Sequence, residues 1–339
     1  MRLTQLEYDL PEELIAREPI EPRDQARMLV LDRRAGTIEH SRFYKLGRFL
    51  REGDLIVLNN TRVLPARLMT RKETGGEVEL LMVRPSDTHP GAWIALARTH
   101  RPLREGAKLI LSDGRALVVL GYQKSGRPIV AREDGLPMED LMREVGKLAL
   151  PHYIDREVNA ADADNYQTVY ADPPGAIAAP TAGLHFTEKL FGELAAAGIR
   201  RATLTLHIGP GTFSPVRVNE VEQHTMEAEW YTIPPATIAA IEHAQRVGGR
   251  VIGVGTSATR ALESWAITGD TEGFTGLFIS PGFRFKRVDA MITNFHMPRS
   301  TVLALVMAFA SREMILRAYA DAIRHRYRFF SYGDAMLIL

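Results

Sequence analysis

The residues of this chain that could do chemistry gather at the ends of apolar runs. Residues 54–58 lead into Asn59-Asn60-Thr61-Arg62, and residues 202–206 into His207-Ile208-Gly209-Pro210-Gly211-Thr212. Residues 251–254 lead into Gly255-Thr256-Ser257, and residues 288–293 into Asn294-Phe295-His296. A fifth loop of the same texture, Ala179-Pro180-Thr181-Ala182-Gly183-Leu184-His185, opens a helix. Polar loops at the carboxyl ends of buried strands are where α/β proteins gather ligands, because backbone donors and side chains converge there. Five such loops, far apart in sequence, predict one composite pocket and an enzyme.

Each loop has a functional and a purely structural reading. Gly255-Thr256-Ser257, between a strand and a helix starting near Ala258, can cradle an anion or a ribose on free N–H groups. A tight strand-to-helix turn needs small residues in any case. Gly209-Pro210-Gly211-Thr212-Phe213 is a stiff loop that lets a flat ligand approach, and Phe213 either stacks on a base or fills the core. The histidines His185, His207, His224 and His296 fit no metal-ligand spacing, so no metal is expected. Three of them stand at the loop mouths, where one can serve as general base or proton donor. Glu227, Glu229 and Asp334 are the carboxylate candidates. No G-x-S-x-G elbow is present, which argues against serine hydrolase chemistry.

The elements that must hold these loops follow from the patterning. The chain of 339 residues is 45% apolar, enough for a large core in two domains or one elaborated one. It has no cysteine, hence no disulfide, thiolate metal site or cysteine nucleophile. The amino-terminal residues lack a signal-type apolar core, and the longest apolar stretch, 302–310, is less than half of the ~20 residues that a membrane span needs. A soluble cytoplasmic protein, not associated with a membrane and working as a monomer, is expected. The formal net charge of +1 gives no global field for nucleic acid, but two basic clusters stand out: Arg62, Arg67, Arg71 and Lys72, and Arg324, His325, Arg326 and Arg328.

Residues 28–32 read as a strand and 33–37 as a hairpin turn. From 67 to 150, short strand-like runs (77–83, 92–97, 108–111, 116–121, 128–132) are separated by Gly, Pro, Ser and Asp. That texture predicts a small all-β barrel or sandwich. Beyond Pro151, strands alternate with helices: Thr187 caps a helix that Gly198 stops, 236–247 is helical by spacing, and one long helix runs from Ser300 or Thr301 towards Arg326. The predicted fold class is α/β, a barrel-like α/β host domain (1–66 and 151–339) with an inserted β-barrel-like domain (67–150).

Four segments resemble a known family. They are Leu58-Asn59-Asn60-Thr61-Arg62-Val63-Leu64-Pro65-Ala66-Arg67-Leu68, Ala179-Pro180-Thr181-Ala182-Gly183-Leu184-His185-Phe186, Thr293-Asn294-Phe295-His296-Met297-Pro298, and Tyr327-Arg328-Phe329-Phe330-Ser331-Tyr332-Gly333-Asp334-Ala335-Met336. They are similar to signature segments of the S-adenosylmethionine:tRNA ribosyltransferase-isomerases of queuosine biosynthesis, and the similarity runs from Tyr8 to the carboxyl terminus.

The resemblance implies that the ribosyl part of S-adenosylmethionine is transferred to 7-aminomethyl-7-deazaguanine at the wobble position of tRNA. The ribose rearranges to an epoxycyclopentanediol, giving epoxyqueuosine, while adenine and methionine leave. S-adenosylmethionine is then a co-substrate, with no prosthetic group and no metal. A base must take a proton made acidic by the sulfonium, and an acid must assist adenine: His185, His207, His224 and His296 are candidates, with Asp334 or Glu229 orienting. Phe213 and Phe295 would stack on a base. Asn59, Asn60 and Asn294 would bond ribose hydroxyls or the methionine carboxylate. Arg62, Arg67, Arg260 and Arg328 would meet that carboxylate or RNA phosphates. Thr61, Thr181, Gly209, Gly211, Thr212, Gly255, Thr256 and Tyr332 complete the substrate-binding set.

Two stretches depart from the family's pattern. Gly255-Thr256-Ser257-Ala258-Thr259-Arg260 stands where a Thr-Thr-Ser-Val type run is usual, and Lys147-Leu148-Ala149-Leu150-Pro151-His152 replaces a His-x-Pro-Leu-Pro-Pro stretch. Two other classes compete: a non-catalytic tRNA-binding protein, and an S-adenosylmethionine-dependent methyltransferase, whose glycine-rich motif and acidic ribose ligand are missing.

Overall fold

The structure, a computed structural model, describes residues 1–213 and 218–339, with Thr212 and Phe213 described by their backbone alone. Among these residues, nine strands form one mixed sheet. Their order is Glu272–Thr275, Glu229–Thr232, Arg200–Leu206, Leu55–Asn59, Val251–Val254, Ala290–Asn294, Ala335–Ile338, Arg27–Asp32 and Thr37–Arg42. The four central strands, from Arg200–Leu206 to Ala290–Asn294, are mutually parallel. All four therefore end at one edge of the sheet. Ala335–Ile338 runs antiparallel to Ala290–Asn294, with Ala335 opposite Asn294, so the loop before it arrives at the same edge.

Strand alternation explains why this sheet is buried on both faces. Leu55 and Val57 point into one core and Ile56 and Leu58 into the other, as do Leu29 and Leu31 against Met28 and Val30. Strands covered on both sides read as near-continuous apolar runs, and these do. The first core is closed by the helices Pro235–Arg246, Gly255–Thr268, Thr301–Ala310 and Arg312–Arg324. The second is closed by the turn Phe43–Arg48 and the helix Glu188–Ala196.

Between Arg67 and Arg132 six antiparallel strands close into a barrel: Arg67–Lys72, Glu77–Pro85, Trp93–Arg98, Lys108–Leu111, Ala116–Tyr122 and Pro128–Arg132. Its interior has its own core, with Leu68, Leu80, Trp93 and Val130 among the members. The chain is thus α/β with an inserted β barrel. Closure belongs to the insert, while the host sheet keeps two edges, at Glu272–Thr275 and Thr37–Arg42. Arg127 of the insert forms an ion pair with Glu227 of the host, Nη2 donating to Oε2 at 2.9 Å.

Local signals set most element ends. Thr187 caps Glu188–Ala196 by accepting from the Leu190 N–H at 3.1 Å, as expected for a threonine at that position. The hairpin turn after Arg27–Asp32 is held by Asp32 Oδ1, which accepts from the Arg34 and Ala35 N–H groups. The long helix expected from residue 300 to 326 is divided. Ser311 adopts φ 69° and ends Thr301–Ala310, and its hydroxyl accepts from Met314 N to start Arg312–Arg324. A serine side chain competes with the helical ladder in this way, and apolar periodicity does not register it.

Candidate active site

The loops at the carboxyl edge of the parallel strands line a partly enclosed cleft. Each wall comes from a different part of the sequence. Pro180 and Thr181 form one side, Gly255, Thr256 and Ser257 the floor at the start of the helix Gly255–Thr268, and Asn294 and His296 the end of strand Ala290–Asn294. Phe330 and Ser331 close the cleft, with Tyr153 beside them.

The floor begins at Gly255, whose φ of +84° is a left-handed conformation that a side chain would strain. Val254, at the N-cap, makes no side-chain cap bond to this helix, so its first N–H groups have no capping oxygen from that residue. Ser257 Oγ accepts from the Asn59 amide at 3.1 Å. Asn59 is fully buried, and its remaining groups bond Leu206 O, Leu206 N and Thr61 N. It braces three strand ends from beneath the floor.

Asn294, 2% exposed, ties the other walls together. Its Oδ1 accepts from the Thr181 hydroxyl at 3.1 Å and its Nδ2 donates to Phe330 O at 3.2 Å, with His185 Nε2 3.4 Å away. Phe330 is itself held at φ 71°. A non-glycine residue there costs on the order of 1–3 kcal/mol and persists only where its surroundings enforce it. The Asn294 bond and the Phe330 N–H to Phe295 O bond, 3.1 Å, supply that enforcement.

His296 is the imidazole on the cleft. Its Nε2 lies 2.6 Å from the Thr293 hydroxyl, and no other protein hydrogen bond to the ring is seen among the described residues. The ring is hemmed in by protein yet keeps part of its surface towards the cleft. Burial pushes its pKa down to about 3, so the ring is neutral near neutrality. Tyr153 hydrogen-bonds Ser331 Oγ at 2.6 Å and is pushed up to about 12 by burial. Arg260, which also reaches the cleft, is neutralised by buried Glu229, Nη1 donating to Oε2 at 2.6 Å. Glu229 Oε1 accepts from Gly209 N at 2.8 Å and so pins the Gly209-Pro210-Gly211 loop.

The chain matches the "Queuosine biosynthesis protein" family over residues 3–338. It belongs to that family. Among relatives of this queuosine family, S-adenosylmethionine:tRNA ribosyltransferase-isomerase of Geobacter sulfurreducens is 47% identical over 342 residues, covering 100% of both chains. The protein of the same name from Rubrobacter xylanophilus is 48% identical over 339 residues, covering 100% of this chain and 98% of the relative. The crystal structure of S-adenosylmethionine tRNA ribosyltransferase from Thermotoga maritima aligns with 99% of this chain and 100% of its own, at 35% identity and a TM-score of 0.57.

Of the residues singled out in the sequence, Thr181, Gly255, Thr256, Arg260, Asn294, Phe295 and His296 meet at the cleft. The Phe295 ring is fully buried among Tyr319, Tyr327 and Phe329 and offers no free face for stacking. His185 and Tyr332 line a neighbouring hollow that shares Ser331 with the cleft. His185 is neutral there, its pKa pushed down to about 4 by burial. His207 stacks on Trp230, with Thr61 Oγ1 2.8 Å from its Nδ1, and burial brings it to about 4 as well. Gly175 makes room for it, since a Cβ there would stand 2.5 Å from the ring.

Other positions lie outside the cleft. Asn60 accepts from the Thr205 hydroxyl at 2.7 Å, and Arg62 is exposed and donates to Ala171 O. Arg67 faces Glu79 at 3.2 Å on the barrel, and His224 packs edge-on against Phe278, its pKa lowered by burial. Gly211 packs close to Glu227. Asp334, 1% exposed, accepts from Arg27 N and Arg328 N and shapes its loop, while the Arg328 side chain donates to Glu18 O. The side chains of Thr212 and Phe213 fall outside the described residues.

Sequence reading placed Ser257 in a ligand cradle, and it lines the cleft, but it passed over Tyr153, Ser300 and Ser331 as cleft residues. Ser331 sits inside a quoted motif, so its neighbours carried the signal. Tyr153 had none, because only folding brings residue 153 beside 331. Among the described residues, one group could hold a metal ion by proximity, His40, Asp321 and His325. It is on the surface, away from the cleft.

Proposed function

We propose that this chain is an S-adenosylmethionine:tRNA ribosyltransferase-isomerase that uses the cleft for the chemistry. Its substrates on this reading are S-adenosylmethionine and tRNA bearing 7-aminomethyl-7-deazaguanine at the wobble position, with adenine and methionine as products. The observation that carries the reading is that three of the four family-like segments, around 181, 294–296 and 330–331, meet at one cleft, and the fourth supplies Asn59 beneath it.

The character of the cleft suits this substrate. A sulfonium is cationic, and the cleft's cation, Arg260, is cancelled by Glu229. The uncapped start of Gly255–Thr268 favours an anionic group such as the methionine carboxylate. Ser257, Thr256 and Thr181 are hydroxyls for a ribose. In this scheme neutral His296 accepts the proton made acidic by the sulfonium, with Nδ1 as the available nitrogen, and Tyr153 is a donor for departing adenine. Asn294 positions both sides. The host segments 1–66 and 151–339 hold the chemistry, and the insert 67–150 extends the surface beside it. On this reading the protein works as a monomer. A cytoplasmic setting fits a tRNA substrate, and no described helix is long and apolar enough to cross a membrane. No prosthetic group or metal enters the scheme.

The test follows ribose-labelled S-adenosylmethionine with tRNA carrying the deazaguanine. Label entering tRNA with matching adenine release is the expected result. Tight tRNA binding without either product supports a non-catalytic binder, and S-adenosylhomocysteine as product supports a methyltransferase.

A further inference from the structure

A second concave surface lies on the same edge of the sheet as the cleft. It is an open groove of about 700 Å³ between the strand Thr37–Arg42, the turn Phe43–Arg48 and the end of the helix Arg312–Arg324. Its character is set by charge. Arg27, Arg42, Lys45 and Arg48 line it, with His40 and His325 between them. Arg42, Lys45 and Arg48 are exposed. The Arg42 guanidinium donates to Gln25 O, a neutral partner, and Arg48 has Glu39 only at 3.9 Å. The acids nearby are already engaged: Asp334 holds Arg27, and Asp321 is shared by Arg324 and His40. Net positive charge therefore remains for something outside the chain. The same surplus disfavours a cation at His40, Asp321 and His325.

Tyr44 stands 38% exposed beside Lys45 and offers one aromatic face next to these cations, while the Tyr327 ring is buried beneath Arg27, whose guanidinium sits 4.4 Å from its centroid. Exposed cations side by side suit a phosphate backbone, and an aromatic face next to them suits a base.

Position relates the groove to the cleft. Arg27 pairs with Arg42, Met28 with Ala335, and Ala335 with Asn294, so groove and cleft are three strand spacings apart along one edge, roughly 14 Å at ~4.8 Å each. The loop from His325 to Asp334 has Tyr327 in the groove and Phe330 and Ser331 in the cleft. A strand with one base in the cleft would bring the phosphates of its neighbouring nucleotides over this loop and into the groove.

We propose that this groove binds the phosphate backbone of the tRNA substrate next to the modified nucleotide, with Arg42 and Lys45 as its principal phosphate ligands. The proposal rests on the ribosyl-transfer reading above for the identity of the RNA. It separates the site of chemistry from the site of affinity.

The experiment measures binding of the substrate tRNA to full-length protein between 50 and 200 mM salt, with steady-state kinetics alongside. The variants are Arg42→Gln/Lys45→Gln and Lys45→Glu, with Arg71→Gln/Lys72→Gln as a control in the other basic cluster. Loss of two phosphate contacts should weaken tRNA binding about tenfold and lower the salt slope by roughly 0.7–0.9 per contact. Turnover at saturating tRNA and the KM for S-adenosylmethionine should stay at wild-type values, and the control should change affinity less than about twofold. Wild-type affinity and slope in Arg42→Gln/Lys45→Gln, or a raised KM for S-adenosylmethionine alone, would overturn the groove while ribosyl transfer by the wild type stands. Wild-type protein that neither binds tRNA nor releases adenine would remove both readings.

Discussion

The cleft and the groove lie on one edge of one sheet and treat charge in opposite ways. In the cleft, every formal charge among the described lining residues is cancelled: Arg260 is held by Glu229, and the histidine is neutral. In the groove, Arg42 and Lys45 stand exposed without an acid of their own among the described residues. Enclosure accounts for the difference. A charge removed from water must be paired or neutralised, whereas exposed cations keep their hydration until a polyanion displaces counterions. A cationic sulfonium fits the first environment and RNA phosphates the second.

The largest effect should come from the cleft. His296→Ala is expected to lower turnover by about 10²–10⁴-fold, with tRNA affinity unchanged by filter binding. If affinity fell and turnover held, the division between the two regions would collapse. Next, Arg260→Met removes the cation that Glu229 is buried against, and should cost about 3–5 kcal/mol in urea unfolding. Arg42→Gln, on the exposed side, should stay within about 0.5 kcal/mol. Equal costs at the two positions would mean that enclosure does not separate them.

Asn294→Ala should cost about 1–3 kcal/mol for its unmatched buried partners, and should lower kcat more than KM because Phe330 loses its restraint. Acid dependence has a smaller effect and a definite sign. His185, His207 and His296 have folded pKa values of about 4, 4 and 3, below the unfolded value near 6.5. The unfolded chain therefore binds more protons below 6.5. Their contribution to stability is complete above that pH and drains as pH falls towards 4 and then 3. Unfolding midpoints measured from pH 8 to 4 should be level above 6.5 and decline below it, and an acid limb in kcat at 6.5 would contradict a neutral buried His296.

Much of this arrangement was legible in the residues, and the reasons differ by element. The carboxyl ends of 200–206, 251–254 and 290–294 could be anticipated because strands buried on both faces are continuous apolar runs, stopped by polar loops. The barrel strands showed through regular turn residues. The break at Ser311 was hidden, since the apolar spacing of residues 303–314 continues across it.

Sequence by itself determined the kinds of chemistry available: hydroxyls, amides and imidazoles at strand ends, no thiol, and two clusters of basic residues. Only the tertiary structure decided how each was used. It placed Asn59 under the floor and Asn294 between the walls, though both are asparagines at strand ends. It gave Arg67 and Arg71 acidic partners across a barrel pairing and left Arg42 and Lys45 without one among the described residues. Residue type sets what a group can do, but pairing and access to water depend on which distant segment packs against it, and that is a property of the folded chain alone.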